Sequence, residues 1–81
     1  MNVREAVAAR TEQLLRERAM SRHQLAKNMA VGDGLLYNII RGKNRRSVDF
    51  NTVCAIADGF DMNVIEFLNV PLFYNDNLDL N

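Results

Sequence analysis

Four times in this chain an apolar residue, a capping residue and a second apolar residue recur at one spacing, and that spacing commits most of the chain to short helices. An N-cap side chain accepts a bond from the free backbone N–H three residues on, and a Glu or Gln at that third position can bond back to the N–H of the cap. The apolar residue just before the cap then packs on the fourth helical residue. Ser21 and Gln24 form such a box between Met20 and Leu25, which predicts a helix from Arg22. Asn63 and Glu66 form another between Met62 and Phe67. Asp49 caps a helix from Phe50, with Val48 opposite Val53, and Gly32 caps one from Asp33, with Val31 opposite Leu36. Asn2 and Glu5 make a weaker fifth start.

Helical periodicity agrees. Val3, Val7, Thr11 and Leu14 share a stripe on the first helix, and Leu25, Ala26 and Met29 line the second. Leu36, Ile39 and Ile40 line the third, which Gly42 is placed to end as a left-handed C-cap. Phe50, Val53, Ile56, Ala57 and Phe60 make the inner face of the fourth. No run alternates with period two over the length of a strand, so the expected class is all-α. With 81 residues, 48% of them apolar, the chain makes a single domain that buries about 60% of the surface its unfolded form exposes. The domain is expected over residues 1–70, with Pro71 opening a tail over 71–81.

Net charge is zero, but the charge is divided. All ten Lys and Arg lie in residues 1–46 with four acidic residues, while residues 47–81 carry six acidic residues and no base. The halves therefore hold +6 and −6, a division that points to a polyanion-facing surface in the first half. Clustering on an ordinary solvated surface is the plainer reading of the same numbers. The single cysteine, Cys54, excludes an intrachain disulfide and a Cys-rich metal site. No apolar run has the length of a signal peptide or a membrane span, and a reducing, cytoplasmic setting is expected.

Only a few residues around Ala30, Val31 and Gly32 separate the second and third helices, which forces a sharp angle between them. The segment SRHQLAKNMAVGDGLLYNIIRGKN resembles the helix-turn-helix of the Cro/phage-repressor (XRE-type) family. Ser21, Leu25, Ala26, Val31, Leu36, Ile39 and Gly42 carry the resemblance, and FNTVCAIADGFDMNVIEFL is similar to the family's fourth and fifth helices. The likeness covers about residues 3–69 and implies a five-helix, lambda-repressor-like DNA-binding domain with its helix-turn-helix at 21–41. Two positions depart from the pattern. Ala30 stands where the family's turn has Gly, and Gly32 replaces the usual Ser or Thr cap.

The resemblance implies that the third helix enters the major groove of double-stranded DNA with Asp33, Gly34, Leu35, Tyr37 and Asn38 outward. Asn38 is the best base reader, since its amide can bond N6 and N7 of adenine together. Tyr37 can reach a phosphate and Leu35 a thymine methyl. Two roles are open to Asp33: accepting from cytosine N4, or stabilising the first turn of its helix. Arg41, Lys43, Asn44, Arg45 and Arg46 form a basic loop expected along the phosphates, and Arg22 occupies a further phosphate position.

His23 has no ligating partner at a suitable spacing in the sequence, and is expected at the surface or close to phosphate. Cys54, mid-helix, is expected in or near the core. No set of nucleophile, base and orienting group is present, so no enzyme activity, metal or cofactor is expected. Neither a membrane nor a small-molecule ligand is indicated. In the tail, Leu72, Phe73, Tyr74, Leu78 and Leu80 either fold back on the first and fifth helices or cover a partner subunit. A homodimer on a palindromic site is the expected partner arrangement, with the chain acting as a regulator, foremost a repressor. The alternative is a protein-interaction module or antitoxin-like partner on the same fold.

Overall fold

The computed structural model describes residues 1–41 and 48–79. Five helices follow one another: α1 (Val3–Glu17), α2 (Arg22–Asn28), α3 (Asp33–Arg41), α4 (Phe50–Gly59) and α5 (Val64–Leu68). Two single 3-10 turns, Pro71–Phe73 and Asn75–Asn77, complete the described chain. There is no strand among the described residues, and no helix is long and apolar enough to cross a membrane.

All five helices begin where the capping pattern places them, but the caps differ in kind. The start expected to be weakest is the complete reciprocal box: Glu5 N donates to Asn2 Oδ1 at 2.8 Å and Asn2 N to Glu5 Oε1 at 2.9 Å. Ser21 accepts from Gln24 N at 3.0 Å, yet the Gln24 side chain does not bond back. It donates to Asn28 Oδ1 instead, and Asn28 in turn donates to the Gly59 carbonyl at the end of α4. Asp49 accepts from Thr52 N at 2.9 Å, and Asn63 from Ile65 N at 3.1 Å.

The helix ends repeat one device that the sequence disclosed at a single position. Ala19, Ala30 and Asp61 have φ of 49°, 57° and 55°, each one residue past a helix cap. In each turn the following N–H bonds back across six residues: Met20 to Leu15 O at 2.9 Å, Val31 to Ala26 O at 3.0 Å and Met62 to Ala57 O at 3.0 Å. These are Schellman ends, which close the free carbonyls of the last turn. Met20, Val31 and Met62 each end one helix and sit just before the N-cap of the next. One four-residue turn thus joins α1 to α2, α2 to α3, and α4 to α5. A left-handed φ strains any residue with a Cβ, and all three positions carry one.

The core is built from Ala6, Val7, Leu14 and Leu15 of α1, Leu25 and Ala26 of α2, Leu36 and Ile40 of α3, Val53, Ile56 and Ala57 of α4, and Phe60 and Phe67. Val3, Met29 and Ile39 pack against it while half-buried, as does Phe73. Phe50 departs from the expected inner face and is 61% exposed. The close contact of α4 with α2 is at its other end, where Gly59 meets Leu25 and Met29. Thr11 is fully buried and donates to Val7 O at 2.8 Å, which satisfies its hydroxyl within α1.

Cations on α1 and at its C-cap close three of the other helices, α3, α4 and α5. Arg10, only 7% exposed, donates Nε to Phe67 O at 2.8 Å and Nη2 to Glu66 O at 3.2 Å, with Nη1 on Gln13 Oε1 at 3.0 Å. Its guanidinium lies over the Phe67 ring, 5.8 Å from the centroid. Arg18 donates to the Phe60 carbonyl and stacks over that ring at 5.6 Å. Arg4 donates to Ile40 O at 2.9 Å. A cation at a helix C-terminus satisfies free carbonyls and opposes the negative end of the helix dipole. The Phe73 ring, 6.1 Å from that of Phe67, brings the final segment back onto the core.

Candidate nucleic-acid interface

α3 is divided sharply between two faces. Leu36 and Ile40 are buried and Ile39 is half-buried, while Asp33, Gly34, Leu35, Tyr37, Asn38 and Arg41 are exposed. All five residues expected to reach bases therefore share the solvent side of one helix. Leu35 and Tyr37 are 53% and 59% exposed. A Cβ added at Gly32 or Gly34 would meet nothing within 4 Å, so the first turn leaves room for close approach of a large partner. Lys43, Asn44, Arg45 and Arg46, and the Gly42 cap, lie outside the described residues.

The helix is held at both ends. At its C-terminal end Arg4 binds the Ile40 carbonyl. At its start Asp33 meets His23, whose Nδ1 lies 3.0 Å from Oδ1 and 2.9 Å from Oδ2. The two residues stand ten positions apart on different helices, so spacing along the chain does not pair them. Only the angle of the α2–α3 turn sets their first turns side by side. The signal in the sequence was the shortness of that turn, which does not by itself say which side chains meet.

Arg22 remains half-exposed at the start of α2, and its Nε and Nη2 lie 2.9 and 2.7 Å from Glu12 Oε1 of α1. The division of charge in the sequence also takes on a different meaning. Arg4, Arg10 and Arg18 donate to backbone carbonyls at helix ends. Arg41 is the cation that α3 itself exposes. Cys54 is half-buried on α4, near the core as expected.

The architecture is the five-helix helix-turn-helix fold, with α2 and α3 as its two-helix unit. No family model and no curated protein sequence matches the chain. Solved structures do. The clp gene regulator ClgR from C. glutamicum superposes with a TM-score of 0.66 at 22% identity, over 80% of this chain and 82% of that one. An HTH_3 family transcriptional regulator from Vibrio cholerae gives 0.70 at 23% identity, over 85% of this chain and 38% of its own. The restriction-modification controller protein C.Esp1396I gives 0.73 at 14% identity, over 96% of this chain and 95% of its own. The fold expected from the Cro/phage-repressor resemblance is thus the fold observed, shared with transcriptional regulators.

Proposed function

We propose that this chain is a sequence-specific DNA-binding transcriptional regulator, acting as a repressor by occupying its site. The observation that carries the reading is the exposed face of α3, where Leu35, Tyr37 and Asn38 stand on a short helix tied down at both ends. Such a helix fits the major groove, which is about 12 Å wide. In this reading Asn38 bonds adenine, Leu35 packs on a thymine methyl and Tyr37 bonds a phosphate. Arg22, Arg41, Lys43, Asn44, Arg45 and Arg46 supply the contacts to phosphate, which set register and salt-dependent affinity. What two solved neighbours are called, a clp gene regulator and an HTH_3 family transcriptional regulator, supports the same reading. It carries with it a bacterial or phage setting and a cytoplasmic, nucleoid-associated location.

A second copy of the chain completes the proposal, since one helix-turn-helix spans few base pairs and two read a palindrome one helical turn apart. The exposed Phe50 and Ile65, 61% and 72% accessible, are the apolar side chains available to such an interface on α4 and α5. Light scattering at micromolar concentration tests it, and a strictly monomeric mass counts against a stable dimer.

A protein-interaction module is the second reading, favoured by the carboxylate of Asp33 and the apolar side chains of Leu35 and Tyr37 on one face. Mobility shift of a random-sequence duplex at low and moderate salt separates the two. Binding that weakens steeply with salt supports the DNA reading, and Arg45→Ala or Arg46→Ala then lowers the salt slope by about one unit. No binding even at low salt removes it.

A further inference from the structure

The outward residues of α3 are not equivalent. An α-helix turns about 100° per residue, so Gly34 and Asn38, four positions apart, stand one above the other. Leu36 and Ile40, the buried residues of this helix, each follow one of them by two positions and lie about 200° further round. Gly34 and Asn38 therefore form the outermost line of the helix, and both are exposed. Asn38 projects from that line. One turn before it, the line carries no side chain.

The fold does not call for this glycine. A Cβ at Gly34 would meet nothing within 4 Å, and no glycine among the described residues has a positive φ. Gly59, the other helical glycine, is different, since a Cβ there would stand 2.7 Å from Met29 Cγ. Glycine inside a helix is less stable than alanine, so α3 loses stability at Gly34 and gains no packing for it. The missing Cβ matters only to something that approaches from outside. A helix with its side chains is about 10–12 Å across, and the major groove is about 12 Å wide, so one side chain on the outermost line decides how deep the helix goes. We propose that Gly34 is a specificity-determining residue: its open position lets the first turn of α3 seat against the groove floor, which brings the Asn38 amide to a base edge. This inference rests on the DNA-binding reading and assigns Gly34 a role by clearance, with no contact of its own required.

The test compares wild type with Gly34→Ala and Gly34→Gln, on the duplex that wild type selects from a randomised pool and on a random-sequence duplex. Both variants are expected to raise the urea midpoint, because each places a better helix former in open space. Affinity for the selected duplex is expected to fall about tenfold with Ala and further with Gln, as the bidentate contact is lost. The random duplex, held through its phosphates, changes much less. Asn38→Ala then costs less in the Gly34→Ala chain than in wild type, a coupling that a double-mutant cycle reads. A lowered urea midpoint overturns the proposal, because the fold would then need the glycine. Unchanged discrimination between the two duplexes also overturns it, while salt-sensitive binding leaves the DNA-binding reading standing. Absence of salt-sensitive binding in wild type, or of any selected duplex, overturns the two together.

Discussion

Nη1 of Arg4 donates to the Ile40 carbonyl at 2.9 Å, joining the first turn of α1 to the last turn of α3 across 36 residues of sequence. This bond anchors the helix whose other face is exposed. Arg4→Met leaves that carbonyl without its charged donor and is expected to lower stability by about 1–2 kcal/mol. Urea unfolding followed by circular dichroism measures it. On the proposed DNA-binding reading duplex affinity is expected to fall as well, because the end of α3 is freed.

Arg10 holds the end of α5 more firmly, since it is buried and bonded to two carbonyls and to Gln13. Arg10→Met removes the donors and leaves two backbone acceptors unsatisfied, with an expected loss of about 2–4 kcal/mol. Arg10→Lys does not restore stability, because an ammonium lacks the fork that spans Glu66 O and Phe67 O. If Arg10 were instead a DNA contact, the salt slope of duplex binding would change at temperatures where the variant remains folded. It is expected to stay the same.

The left-handed residues Ala19 and Ala30 are exposed and can be relieved without loss of packing. Ala19→Gly and Ala30→Gly are each expected to raise stability by about 0.5–1 kcal/mol, the Cβ strain removed exceeding the added freedom of the unfolded chain. Denaturant midpoints report the change, and the two effects should add because the turns are separate.

Gly59 presents the opposite case. A Cβ there would stand 2.7 Å from Met29 Cγ and 2.9 Å from Cδ1 of the buried Leu25. Gly59→Ala is expected to cost about 1–3 kcal/mol by overpacking the α2–α4 contact. Met29→Ala in the same chain should recover part of this, a coupling that a double-mutant cycle reads directly.

On the proposed DNA-binding reading, Asn38 and Arg41 separate reading from holding. Asn38→Ala is expected to cost about 1–3 kcal/mol against the preferred site and to relax choice at one base position. Arg41→Ala should weaken binding to all duplexes alike and reduce the salt slope. Selection of sites from a randomised oligonucleotide pool, with each variant, distinguishes the two effects.

Much of the fold was legible because helix starts are local. Asn2, Ser21, Asp49 and Asn63 each bond an N–H two or three residues on, whatever packs above them. The division of α3 into Leu36 and Ile40 inside and Asn38 outside follows from the helical period in the same way. Phe50 has that period too, yet is exposed: the period names a face of the helix and not which positions on it a neighbour covers.

The sequence by itself determined five helix starts, a short α2–α3 turn and one exposed face of α3, all of which depend on contacts within about four residues. Tertiary structure decided what the charges do. Arg4, Arg10 and Arg18 read in sequence as part of a basic half, and their partners are carbonyls 36 to 57 residues away. His23 and Asp33, ten residues apart, become a pair only through the angle between two helices. A long cationic side chain can serve solvent, phosphate or a helix end equally well, so its role is settled by which helix terminus the packed core brings within its reach.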